Sequence, residues 1–126
     1  MAEEKLFENH LKKWLMSEGI YPFGYEQHKM LVPQCGYFEK RWGGGGFTKS
    51  GLPDLHIVVN GYSIELELKA PKGRATELQE YNITLCRNSG GYAGVVKPSD
   101  LELIKRLVLK LKQEEPIRNK IVSEIL

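Results

Sequence analysis

The sequence predicts one mixed α/β domain, ordered approximately α-β-β-β-α-β with C-terminal helices. Three observations carry this expectation. Residues 3–18 show an apolar stripe at helical steps, Asn60-Gly61 stands between two β-prone runs, and two capping-box patterns open helices near Thr76 and Ser99. A chain of 126 residues suffices for one hydrophobic core and leaves little room for a second, so the domain is expected to span 1–126.

The first helix, from about Glu3 to Glu18, places Phe7, Leu11, Trp14 and Leu15 on one side, with Gly19 as its stop. Glu8 falls inside that stripe, within about 20° of Leu15 and about 60° of Leu11 on a helical wheel. A carboxylate turned toward a core is costly unless a cation or hydrogen-bond donors receive it; otherwise it must reach out to water. Residues 20–50 begin irregularly, with Pro22, Gly24 and Pro33 interrupting any helix, and Gln34 to Arg41 is expected to be extended. Gly43 to Gly46 reads as a flexible loop. A phosphate cradle is the weaker alternative, because no Lys-Ser/Thr pair follows at the required spacing.

Leu55 to Val59 and Tyr62 to Lys69 flank Asn60-Gly61, the strongest short hairpin signal. A two-residue loop sets Val59 opposite Tyr62, Ile57 opposite Ile64, Leu55 opposite Leu66 and Asp54 opposite Glu67. Side chains alternate between the faces of a strand. Leu55, Ile57, Val59, Tyr62, Ile64, Leu66 and Leu68 therefore belong to the core, while Asp54, His56, Val58, Ser63, Glu65, Glu67 and Lys69 share the other face. That second face is either a solvated surface of alternating charge or a built site. Two carboxylates set opposite each other repel, and a hard divalent cation reverses the sign. His56 and Glu65 read as a structural or solvent pair.

Thr76-x-x-Gln79 opens the second helix, with Leu78, Asn82, Leu85 and Cys86 on its inner side and Gly90-Gly91 at its end. Tyr92 to Lys97 is a short strand closed by Pro98. Ser99-x-x-Glu102 starts a helix that presents Leu101, Ile104, Leu107, Val108 and Leu111, and Ile117 to Leu126 after Pro116 is a last short helix.

Composition excludes some classes. No apolar run approaches the length of a membrane span, and the acidic, amphipathic N-terminus is unlike a secretory signal, so a cytoplasmic protein without a membrane partner is expected. Cys35 and Cys86 lack zinc-site spacing and are expected to be free thiols. A net charge of +2 neither announces nor excludes a nucleic-acid binder, since carboxylates for a metal and lysines for phosphate cancel in the sum.

Gly51-Leu52-Pro53-Asp54, a strand, a turn and Glu67-Leu68-Lys69 form a PD…ExK pattern that resembles the PD-(D/E)XK nuclease superfamily. The surrounding GYFEKRWGGGGFTKSGLPDLHIVVNG, IELELKAPKGRATELQ and GGYAGVVKPSD are similar to small, standalone VRR-NUC domain proteins, a likeness running from Glu8 to about Leu111. The resemblance implies a restriction-endonuclease-like core. It makes Asp54 and Glu67 metal-binding acids, Lys69 the catalytic lysine, the Leu68 main-chain carbonyl an added ligand and Glu8 a helix-one acid supporting metal or water. Gln79 matches a catalytic glutamine, although its capping role would suffice to explain it. Glu65 makes the motif ambiguous (Glu-x-Glu-x-Lys), but the pairing with Asp54 favours Glu67. Lys49, Lys72 and Arg74 would hold a DNA backbone, and Ser50 either contacts phosphate or turns the chain.

These residues lead to the expectation of a Mg²⁺-dependent DNA endonuclease, with Mn²⁺ able to substitute. Its substrate would be branched DNA such as Holliday junctions, since the small VRR-NUC proteins resemble dimeric junction resolvases. A homodimer would draw on apolar surface in residues 117–126. Two other readings stay open: a nuclease fold that binds DNA without cutting it, and a metal-dependent phosphoesterase acting on small molecules.

Overall fold

The Asn60-Gly61 bend fixes the centre of the sheet. Both residues have positive φ, 50° and 89°, as a tight two-residue hairpin turn requires. Strand β3 (Leu55–Val59) then pairs antiparallel with β4 (Tyr62–Leu68) in the expected register, Val59 to Tyr62 through Leu55 to Leu66. The structure, a computed structural model, describes residues 2–41 and 51–120. The expectations for Gly43 to Gly46, Lys49, Ser50 and residues 121–126 lie outside the described residues.

Five strands form one mixed sheet in the order β1-β2-β3-β4-β5, with β1 Ile20–Pro22, β2 Gly36–Lys40 and β5 Tyr92–Val96. β2 runs antiparallel to β3, whereas β1 and β5 lie parallel to their neighbours β2 and β4. Helices α1 (Ala2–Ser17) and α3 (Leu101–Gln113) cover one face of the sheet. Phe7, Leu11 and Leu15 of α1 and Ile104, Val108 and Leu111 of α3 enclose Phe38, Leu55, Ile57, Ile64, Leu66 and Leu68 in a single core. Helix α2 (Glu77–Asn88) packs on β4 and β5 from the other face. No helix among the described residues is long and apolar enough to cross a membrane.

Four details differ from the sequence expectations. β1 was not anticipated. Three residues ending in proline carry no periodic signal, and the strand exists only because the chain doubles back to pair Ile20 with Gly36. Helix α2 buries Asn82 and Ile83, while Leu78 and Leu85 are each 46% exposed. The surface beneath it carries Glu65 and Glu67, so a polar side of the helix turns inward. Helix α3 begins after a 3-10 turn, Pro98–Asp100, rather than at a Ser99 cap, and Asp100 Oδ2 accepts from the Lys97 N–H at 2.8 Å. Past Pro116, Ile117–Lys120 is a 3-10 turn in place of the start of an α-helix.

Asn60 has a second task. Its side-chain Nδ2 donates to the carbonyls of Leu111, Lys112 and Glu114 at 3.0, 3.1 and 3.2 Å, which satisfies the C-terminal end of α3 from the hairpin turn. Asn60→Gly keeps the positive φ and removes these bonds. Its expected cost is about 1–3 kcal/mol, read as a lower midpoint of urea unfolding with an unchanged slope.

Candidate metal and nuclease site

The site lies where β3 begins and β4 ends. Gly51 has φ 75°, and a Cβ there would stand 2.6 Å from Leu78 Cγ and 2.9 Å from Asn82 Nδ2, so only glycine lets α2 approach this closely. Asn82 Nδ2 donates to the Gly51 carbonyl at 2.8 Å. Arg41, just past β2, holds the other approach: its N–H donates to the Asp54 carbonyl at 2.7 Å and its guanidinium to the Pro53 carbonyl at 3.2 Å. The Gly51–Asp54 segment is thus held through its carbonyls by Asn82 at one end and Arg41 at the other.

With its backbone fixed, the Asp54 carboxyl reaches β4. Oδ2 accepts from the Leu68 N–H at 2.8 Å, so the stretch of main chain expected to add a ligand lies against this carboxyl. Glu67 is 2% exposed beneath α2 and adjoins Asp54. Its Oε2 accepts from Gln79 Nε2 at 3.1 Å and lies 3.4 Å from the Lys69 ammonium. Its Oε1 is buried and has no hydrogen-bond partner among the described residues. Burial first, then hydrogen bonding and charge from Asp54, push the Glu67 carboxyl from an ordinary 4.5 up to about 8, against the pull of Lys69.

Gln79 performs both tasks the sequence left open. Its Oε1 accepts from the Thr76 N–H at 2.9 Å while its backbone N–H donates to Thr76 Oγ1 at 3.1 Å, and its amide nitrogen holds Glu67. The capping box therefore aims a donor at the acid.

Glu8 meets a different fate. It is 4% exposed, and three ammoniums surround it: Lys40 on Oε1 at 2.9 Å, and Lys12 and Lys5 on Oε2 at 2.9 and 3.1 Å. Burial would raise its pKa, but the lysines together hold it at about 2. Lys40 also stands 4.0 Å from Asp54 Oδ1, so an ammonium separates Glu8 from the Asp54–Glu67 pair. Among the described residues no group of three or more carboxylate, histidine or cysteine side chains forms a metal-binding set. Asp54 and Glu67 are the acids that meet.

Glu65, the motif's competing acid, is fully engaged elsewhere. Arg41 grips it through both oxygens at 2.7 and 3.2 Å, and His56 Nδ1 lies 2.8 Å from Oε2. Lys72 and Arg74 are exposed on the loop after β4 and line a groove with Lys69 and with Glu3 and Glu4 at the start of α1. Sequence reasoning missed Lys40, Lys12 and Arg41. One signal was available for Lys40: it shares the parity of Phe38 and so faces the core, as Glu8 does on α1.

A buried carboxylate oxygen with no donor, beside a second carboxyl, fits a hard divalent cation, which usually takes one or two carboxylates and completes its shell with water or phosphate. The raised Glu67 pKa has a stability signature. Between pH about 4.5 and about 8 the folded chain keeps a proton that the unfolded chain has lost, so without metal stability falls as pH rises through this window. Glu8, depressed to about 2, acts below pH about 4.5 and does not interfere. Urea midpoints in EDTA should fall from pH 5 to pH 8, and Glu67→Gln should flatten that fall. Comparison with known protein families, curated proteins and solved structures finds no match, so the functional reading rests on this geometry.

Proposed function

We propose that the chain is a metal-dependent DNA endonuclease of the PD-(D/E)XK type, with a restriction-endonuclease-like core and VRR-NUC character. The observation that carries the reading is the buried Glu67 Oε1, without a donor and adjoining Asp54, with the Lys69 ammonium 3.4 Å from the other oxygen of the same carboxylate. Two acids and a lysine at the end of one hairpin are the parts that phosphodiester hydrolysis needs.

Mg²⁺, or Mn²⁺ in its place, would be held by Asp54 and Glu67 and would supply Lewis-acid polarisation of the phosphoryl oxygen. The chain's own residues do the rest. Gln79 and Lys69 orient Glu67, and the Leu68 N–H and the Arg41 grip orient Asp54. Lys69 positions the attacking water beside the scissile phosphate. Water oxygen bonds to phosphorus as the bond from phosphorus to the leaving oxygen breaks; the attacking water gives up its proton to solvent, and the leaving oxygen takes up a proton from solvent. Lys72 and Arg74, exposed beyond Lys69, contact backbone phosphates without reading sequence. Branched DNA is the proposed substrate class and a homodimer the proposed working unit, since two equal sites suit the two-fold character of a four-way junction.

Isothermal titration with Mn²⁺ and cleavage of four-way junctions, flaps and plain duplex together check this reading. Lys69→Ala should bind metal with little change and cut about 10²–10⁴-fold more slowly. Asp54→Asn should lose both metal binding and cutting. Equal cutting by wild type and Lys69→Ala would remove the mechanism. Arg41→Ala should weaken Mn²⁺ binding about 10–100-fold and also lower the urea midpoint, because it removes both the grip on the Pro53 carbonyl beside Asp54 and the bidentate partner of the buried Glu65.

A further inference from the structure

Asp54 has a different neighbour on each side. Glu67 adjoins it beneath α2, and the Lys40 ammonium stands 4.0 Å from Oδ1 on the side of α1. The sheet itself puts Lys40 there. Lys40 pairs with Leu55 across β2 and β3, and the next N–H, from Arg41, donates to the Asp54 carbonyl at 2.7 Å. Glu8 then fixes the far end of the side chain, with Oε1 2.9 Å from the Lys40 Nζ. The two side chains are 17% and 5% exposed, so solvent does little to loosen the pair.

Glu8 is the acid that a second divalent ion would need. Two-metal sites hold their ions about 3.5–4 Å apart, which puts a second ion on the α1 side of Asp54, with Glu8 as its other carboxylate. Both Glu8 oxygens are engaged, Oε1 by Lys40 and Oε2 by Lys12 and Lys5 at 2.9 and 3.1 Å. An ion bridging Glu8 and Asp54, at about 2.1 Å from an oxygen of each, would have to take the ammonium's place between them. Glu67 offers the opposite case. Its Oε1 is buried without a donor, so a cation there displaces no partner from that oxygen.

We infer that the site takes a single divalent ion, on the Glu67 side of Asp54, and that the Lys40 ammonium is the fixed cation where a second ion would stand. Glu8 is then a positioning residue that acts through Lys40, not a metal ligand. This rests on the metal-dependent reading of Asp54 and Glu67. A tethered ammonium brings positive charge beside Asp54 without recruitment from solution, and it repels a second divalent ion from the same place.

The test counts bound Mn²⁺ by isothermal titration and by electron paramagnetic resonance, with folding followed by circular dichroism. Wild type and Lys40→Arg should each take one ion and give the spectrum of isolated Mn²⁺. Lys40→Gln leaves Glu8 two lysines, and it should take a second ion and show coupling between the two. Lys40→Gln combined with Glu8→Gln should return the count to one. Two ions in wild type overturn the inference and leave the metal reading standing. A count of one in folded Lys40→Gln also overturns it, as does a count of two in the double variant. Should Lys40→Gln fail to fold, the wild-type and Lys40→Arg counts decide alone. A folded wild type that binds no Mn²⁺ removes the metal reading and this inference with it.

Discussion

Asp54 and Glu67 are forced together at the end of a hairpin, one of them almost wholly buried, and most of the surrounding structure serves to hold them there. Left to themselves two carboxylates would separate, since like charges in a medium of low dielectric repel strongly. They cannot separate here. The register set at Asn60-Gly61 determines where β4 delivers Glu67, while Arg41, Asn82 and the Leu68 amide close on the Asp54 segment from three directions. The chain relieves the repulsion of this pairing by keeping a proton on Glu67.

Glu8 and Glu67 show how far environment divides one side-chain chemistry. Both are nearly buried, and burial acts on both in the same direction. Glu8 has three ammoniums and is held ionised, whereas Glu67 has one ammonium, one amide and a rival carboxyl and is held protonated. The first is a saturated ion cluster and the second has an oxygen to offer. This division, more than the number of acids present, makes the Asp54–Glu67 pair the candidate for a cation.

The face of the sheet beneath α2 carries a second, half-buried network, Arg41–Glu65–His56, which shares Arg41 with the site. The bidentate Arg41–Glu65 pair joins the end of β2 to the middle of β4, and the same guanidinium holds the Pro53 carbonyl. Geometry at Asp54 is therefore tied to three strands at once. Helix α2 covers these charges with Gln79, Asn82 and Cys86 and buries Ile83, while Leu78 and Leu85 stay half-exposed.

The sequence by itself determined what local physics can fix. Asn60-Gly61 demanded positive φ and so set the β3–β4 register, from which the apolar face and the opposition of Asp54 and Glu67 followed. The stripe on α1 singled out Glu8 as a misplaced carboxylate, and Thr76-x-x-Gln79 marked the start of α2. Tertiary structure decided everything that depends on which surface meets which. It gave Glu8 a third lysine, from a strand 32 residues away, beside the two that its own helix supplies, made β1 a strand through pairing alone, and turned the polar side of α2 inward because polar groups lay beneath it. Periodicity reports that a face is apolar or charged, but the partner across the gap comes from a distant part of the chain, and only folding brings the two together.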